Sequence, residues 1–477
     1  MSDALELEDI QGIVARGYGK LRFASLLLIR FDDRRAAGRW LVELATQVNN
    51  AAGETPKRSA VNFAVTAEGL RELRLPKKLI DQFSFEFRDG MTAEHRQRVL
   101  GDTDGRSPAN WEWGGAKSPR IDAVLMLYAA SKNRLAALEA EYDKGTNARG
   151  ITVVRTLETA PLTDREHFGF RDGISQPVIR GLQKERDGAI ATGEFVLGYT
   201  NEYGLYTDRP TLAADQPGAD ELPADPQNRK RSDLGRNGSY LVMRQLGQDV
   251  PGFWQYLDAA TRSNGSGSDA TERDRLAARI VGRWRSGAPL VLSTLEDDEE
   301  LGASRDGAAN DFNYAEMDPD GLSCPIGAHI RRSNPRDSLD PDPGSEGSLA
   351  INRRHRLLRR GRAYGPPITI NQALSANGST ADGASDPRGL HFICLCTNLS
   401  RQFEFVQHTW INNEKFANLY DDPDPLIGPP GRTLTIQAKP VRKRVKQMPE
   451  FVSVQGGAYF FLPGLRALRF IGRSAQR

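Results

Sequence analysis

The sequence predicts an α+β fold of two tandem ferredoxin-like domains with antiparallel sheets. Three observations carry this. Between Leu21 and Thr159, strand-like and helix-like patterns alternate, a rhythm that builds a sheet covered by helices. From Ser239 onward the same alternation begins again, in pattern though not in residue identity. A chain of 477 residues is long enough for two or three domains with a sizeable core.

Leu21 to Phe31 reads as a strand centred on the aliphatic run Ser25–Ile29. Arg34 to Asn49 carries Leu41, Leu44 and Val48 at helical spacing. Ser59 to Val65 is a second strand, Glu68 to Leu73 a short helix and Ile121 to Ala129 a third strand. Lys132 to Tyr142, rich in Ala, Leu and Glu, is an amphipathic helix, and the β-branched run Ile151 to Thr159 a fourth strand. Trp111 and Trp113 lie in the Gly- and Pro-rich loop between the two halves of this unit, where aromatic anchoring and ligand contact are both open. Asn201 to Asn237, rich in Pro, Asp, Gly and Arg, reads as a long surface linker. The second cycle has a strand from Ser239 to Gln245 and a helix from Val250 to Arg262, with Pro251 tolerated in its first turn. A Ser/Gly loop at 263–268 leads to an Arg-rich helix from Thr271 to Trp284. A strand from Leu390 to Thr397, a helix from Leu399 to Asn412 and a last strand from Ala458 to Leu462 complete the cycle. The expected domains are 1–200, a linker at 201–237, and 238–477.

Composition excludes several classes. Basic and acidic residues balance at 64 against 62, so no polyanion partner is implied. The basic run Arg442–Lys446 reads as a solvated loop rather than a nucleic-acid patch. No apolar run approaches the roughly 18 residues of a membrane span, and the acidic start lacks a signal-peptide pattern. Cys324, Cys394 and Cys396 make no disulfide framework. Cys394 and Cys396 share a face of a strand, where ordinary core packing is favoured over a metal pair. A reduced, cytosolic protein is expected. The oligomeric state stays open, with a homo-oligomer allowed.

Two stretches carry chemistry. Cys324–Arg336 offers one histidine, a Pro and Gly turn before it and three arginines after it, Arg331, Arg332 and Arg336. Imidazole is a common metal and haem-iron ligand, and arginine pairs with carboxylates such as haem propionates. His167–Pro177 contains Gly169-Phe170-Arg171-Asp172-Gly173, two glycines bracketing an acid in a turn. Together with Gly327-Ala328-His329-Ile330-Arg331, this motif resembles the dye-decolourising peroxidase family. Further segments match in order and cover nearly the whole chain: Asp9-Ile10-Gln11-Gly12 with Gly17-Tyr18-Gly19, Arg356–Gly361 with Tyr364-Gly365, Arg401–Gln407, and Gly456–Phe461.

The resemblance implies a peroxidase with one haem b per chain, held mainly by the C-terminal domain. It would use hydrogen peroxide to oxidise dyes, phenols and similar aromatic donors through a ferryl intermediate. It makes His329 the iron's axial ligand, with His167 as the rival histidine. Asp172 becomes the acid–base residue over the open face of the iron, and Arg359 the cation beside it, with Arg360 the alternative. Arg331 is expected on a propionate. Asp424, or else Asp422, is expected to hold the other nitrogen of His329. Leu390, Phe392 and Leu395 would line the pocket, while His391 points away by strand alternation. An unperturbed Asp titrates near pH ~4, so an acidic activity optimum is expected. Two other readings compete: a haem-handling protein with little turnover, which needs His329 alone, and a haem-free assembly domain.

Overall fold

The computed structural model describes residues 4–143, 146, 148–184, 188–262, 269–304, 307–376 and 386–477. The loop at 263–268 lies outside these. In chain order the strands are β1 (Phe23–Phe31), β2 (Ser59–Val65), β3 (Ala123–Ala129), β4 (Ile151–Glu158), β5 (Thr211–Ala213), β6 (Ala224–Asp225), β7 (Asn228–Asp233) and β8 (Ser239–Gln248). They continue as β9 (Leu358–Arg359), β10 (Arg362–Tyr364), β11 (Gly389–Cys396), β12 (Arg432–Ile436), β13 (Lys443–Met448) and β14 (Val452–Leu462).

Among the described residues, nine strands form one sheet in the order β10-β11-β8-β14-β2-β3-β1-β4, with β9 also on β11. Every pairing is antiparallel. The order β2-β3-β1-β4, with helices Arg34–Gln47 and Lys132–Asp143 in the crossovers, is ferredoxin-like. The second half repeats it, with β8, then β9 and β10, then β11 and β14 in the equivalent places. The halves join edge to edge where Phe461 of β14 meets Val65 of β2. An edge that would otherwise template aggregation is thereby covered in each.

β3 is buried along its whole length, because the sheet is covered on both faces. Alternate residues therefore feed two cores: Leu27, Phe63 and Leu125 in one, Leu26, Leu28 and Val124 in the other. Trp111 and Trp113 are buried anchors, with Trp113 Nε1 donating to Gln245 Oε1 at 2.7 Å. Cys394 and Cys396 are free and buried in the first core.

Two expectations are corrected, and one element is new. The stretch 201–237 contains the small sheet β5-β7-β6, and Arg209 is buried there between Asp225 and Asp233. Its polar composition reflects paired charges, not an unstructured connection. The basic run 442–446 enters strand β13, whose Val445 and Met448 face inward while Lys443 and Lys446 stay in solvent. A C-terminal helix, Leu465–Gln476, was not anticipated. It lies against Arg34–Gln47, where a Cβ added at Gly38 would sit 2.5 Å from Gly472 O, so both positions need glycine for the close approach.

Candidate active site

One cavity gathers most of the expected residues. Its wall includes Asp172, His329, Arg359, Leu390 and Phe392. The segment Glu166–Ser175 comes from the connection out of the first half, and the remaining wall from Leu246 onward.

His329 opens a short helix, His329–Ser333, entered through a turn in which Ala328 N donates to Pro325 O at 2.9 Å. Its Nδ1 lies 2.9 Å from Asp424 Oδ2. The other oxygen, Asp424 Oδ1, accepts the backbone N–H of Leu426 and Ile427, each at 2.9 Å. Burial pushes the Asp424 carboxyl up. The facing imidazole, the hydrogen bond to it, the Ile427 amide and Arg332 outweigh burial and hold the carboxyl below its ordinary value. With Nδ1 committed, Nε2 is the ring nitrogen left for a ligand in the cavity. Asp422, the alternative partner, does not reach His329.

The segment carrying Asp172 is a closed turn. Gly169 and Gly173 adopt φ of +94° and +79°, a region other residues avoid. Glu166 N donates to Phe170 O at 2.9 Å, and Asp172 N to Asp164 O at 3.0 Å. Asp172 Oδ1 accepts the Gly173 amide at 2.6 Å. Glu166, which the sequence reading missed, pins this turn from inside. Its oxygens accept Phe168 N at 2.9 Å, Phe170 N at 2.8 Å and Gln248 Nε2 at 2.7 Å. Burial, with Asp172 adding to it, pushes the Glu166 carboxyl up to about 7 against these hydrogen bonds.

Arg359 N donates to Gln176 Oε1 at 3.1 Å, and its side chain lines the cavity. Arg336 and Arg356 lie on the same wall. Arg336 is held by the carbonyls of Asn310 and Phe312 at 3.0 and 2.9 Å. Arg356 has no carboxylate partner among the described residues. Burial, then Arg336 and Arg359, push its guanidinium down to about 9. Cations crowded into a largely apolar wall, with no salt bridge to any of the three among the described residues, favour an anion.

Two expected residues lie elsewhere. Arg331 turns from the cavity into an ion pair with Asp318 at 3.1 Å, under the ring of Tyr314. Two residues along a helix is about 200° of rotation, so His329 and Arg331 cannot face the same way. Arg336 occupies the cavity wall instead. Leu395 is buried in the second core beside Ile393, on the opposite face of β11 from Leu390 and Phe392. The period of two forbids an even and an odd position from sharing a wall. His391 also points away, its Nε2 3.0 Å from Glu158 O. The rival His167 is buried with Nε2 2.7 Å from Tyr364 O, off the cavity wall.

No family model matches the chain. It is 31% identical to a dye-decolorizing peroxidase of Exidia glandulosa, over 98% of this chain and 87% of that relative. The chain belongs to the dye-decolourising peroxidase family. A multifunctional dye peroxidase of Amycolatopsis sp. is also 31% identical, over 76% of this chain and 74% of its own length. The crystal structure of a fungal DyP-type peroxidase from Auricularia auricula-judae superposes with a TM-score of 0.78 at 27% identity, covering 99% of this chain and 100% of that one. A further solved relative with a TM-score of 0.80, a dye-decolorizing peroxidase, was engineered in its heme pocket. This dye-decolourising peroxidase is accordingly an oxidoreductase that works with haem. The cavity suits the group: a histidine with one nitrogen free, an apolar wall including Leu390, Phe392 and Leu426, and arginines that have no salt-bridge partner among the described residues, for carboxylates. Among the described residues no helix is long and apolar enough to cross a membrane.

Proposed function

We propose that the cavity holds one haem b, with His329 Nε2 on the iron, and that the protein uses hydrogen peroxide to oxidise dyes, phenols and related aromatics. The observation that carries this is the His329–Asp424 pair at 2.9 Å on the same cavity as Asp172 and Arg359. When bound, haem supplies an iron centre that peroxide oxidises by two electrons and that aromatic donors reduce one electron at a time.

The chain's own residues do the rest. Asp424 keeps the proton on His329 Nδ1, fixes the ring and makes Nε2 a stronger donor. Asp172 takes the proton from one oxygen of hydrogen peroxide and returns it to the other, which needs a carboxylate within hydrogen-bond reach. Arg359 places a fixed positive charge where negative charge develops as the O–O bond lengthens. Arg336 and Arg356 bind the propionates, a role first expected of Arg331. The apolar wall excludes water and strengthens these charges.

A cytosolic setting belongs to the same proposal and is supported by three free, buried cysteines. An acidic optimum is the expectation that goes with a carboxylate rather than an imidazole as the base. A neutral or alkaline optimum with every dye would count against Asp172. The deciding experiment is the absorbance spectrum of wild type and His329→Ala, each supplied with haem, before and after one equivalent of peroxide. A Soret band that the substitution abolishes or shifts, and that peroxide changes in wild type, supports the assignment. An unaltered band in the variant would move the ligand elsewhere, and a wild-type band indifferent to peroxide would favour haem handling.

A further inference from the structure

A second hollow, of about 640 Å³, shares no wall residue with the haem cavity. It opens between the segments around Pro319, Asp340, Leu419 and Arg442. Four of its features point to a ligand. First, Asp422 lines it with a side chain only 1% exposed, and neither carboxylate oxygen has a hydrogen-bond partner. The nearest cation, Arg444 Nη2, is 3.6 Å from Oδ1, beyond hydrogen-bond reach. A buried acceptor left unmet costs stability, so it is a place where a donor gains. Second, the charges of the wall balance: Arg331 is paired with Asp318 and Asp320 with Lys439, which leaves Asp340 and Asp422 against Arg442 and Arg444. A ligand with net charge gains little there. Third, exposed apolar side chains stand on or beside an otherwise polar wall. Tyr420 is 69% exposed and lines the hollow, Met317 (51%) stands between the wall residues Ala315 and Pro319, and Val441 (76%) adjoins Arg442. Fourth, Ala417, Asn418 and Asp421 all have positive φ, between 47° and 64°, in the segment that runs from Phe416 to Asp422 along one side of the hollow. Such backbone cost in non-glycine residues persists where the surroundings hold it, as at ligand clamps.

We infer that this hollow binds a neutral aromatic bearing a hydroxyl or amine, its body against Tyr420 and its O–H or N–H donated to Asp422. Calling that molecule a reducing substrate rests on the peroxidase reading. The binding itself does not. The hollow adjoins the haem side: Asp422 O accepts from Arg332, which also donates to Trp410 O at 2.6 Å and Gly327 O at 3.2 Å, two residues before His329.

The test is a ¹⁹F NMR titration of 4-fluorophenol into the resting, haem-loaded protein without peroxide. Asp422→Ala is expected to weaken binding about tenfold, the effect of losing a hydrogen bond to a charged group. Tyr420→Ala, at an exposed position that leaves folding intact, should weaken it about threefold through lost ring contact. Should Asp422→Ala fail to fold, Tyr420→Ala carries the test alone. Equal affinity in wild type and the folded variants overturns the inference. So does displacement of the probe by tetramethylammonium at lower concentration than by unlabelled phenol, which would make the hollow a cation site. Because no turnover is involved, failure here leaves the Soret response to peroxide untouched, whereas failure of the peroxidase reading appears in that response.

Discussion

Asp424→Asn isolates the hydrogen bond on which the haem assignment turns. The amide can keep Oδ1 as acceptor for Leu426 and Ile427, so the local turn survives. What changes is the group facing His329 Nδ1, which passes from a buried anion to a neutral amide. A hydrogen bond to a charged group contributes about 1.5–3 kcal/mol. At about 1.4 kcal/mol per decade, that is roughly 10- to 150-fold in the hold on haem. The range agrees with the roughly 10- to 100-fold loss typical when the outer partner of a metal-bound His is removed. The assay is haem transfer to excess apomyoglobin, followed at the Soret band, for wild type and variant at one pH. Faster loss by one to two decades, with the fold intact by circular dichroism, is the expected result. Unchanged haem loss would mean that the Asp424 pair does not support an iron ligand, and His329 would lose its place as well.

The remaining predictions separate the cavity from its surroundings. Arg336→Ala and Arg356→Ala should each weaken haem binding in a haem titration. Arg331→Ala should leave haem affinity alone and destabilise the fold by about 3–5 kcal/mol, because it strands the buried Asp318; haem affinity lost only in Arg331→Ala would reverse the assignment. Glu166 sets a pH dependence. Its carboxyl is raised from 4.5 to about 7 in the fold, so its contribution is fully favourable below pH 4.5 and lost as pH rises through about 7. The loss is about 3 kcal/mol at about 1.4 kcal/mol per pH unit. Wild-type stability relative to Glu166→Gln should therefore fall between pH 4.5 and 8 in denaturant titrations, and parallel profiles would refute the burial argument. Gly472→Val should cost about 1–3 kcal/mol in thermal unfolding, because an added Cβ meets Gly38 O at 2.7 Å.

How far the sequence was legible depended on how local the signal was. β2 matches its expected bounds, and β1, β3 and β4 fall within about two residues of theirs, because alternation and β-branching are read within the strand itself. That Asp172, His329 and Arg359 line one cavity was legible through short motifs whose turns are set by their own glycines and prolines. Arg331 was misplaced because the motif names residues without directions, and only the helix rotation turns it toward Asp318. Leu395 failed for the same reason on a strand. Glu166 gave no signal at all. It is one more acidic residue in a charged segment until folding buries it against the amides of Phe168 and Phe170. The stretch Ser400–Ile411 was read as helix, yet forms wide π-type turns, a detail that apolar spacing does not resolve.

The two halves share a strand order, yet only one holds the cavity, and their connections explain the difference. In the first half the helix Arg34–Gln47 reaches β2 at Ser59 through a short link, and its Trp40, Leu41 and Leu44 pack directly with Leu27, Phe63 and Leu125 of the sheet. In the second half the equivalent link runs from Thr261 to Leu358. That insertion carries His329 and Arg336, and Arg356 closes it. The sheet face it leaves open supplies Leu246 of β8, Leu390 of β11 and Val452 of β14 to the cavity wall, with Leu390 directly opposite Leu246 in register. A sheet built to be covered by a helix is here covered by a cavity. Its apolar residues then suit a flat apolar ring as well as they would suit a helix. The first half contributes what the second cannot build from its own insertion: the closed turn that delivers Asp172. Under the proposal that Asp172 handles the peroxide proton, that step needs the two halves to stay together where β14 pairs with β2. A substitution that loosened Phe461 against Val65 should lower the rate of reaction with peroxide before it lowers haem content.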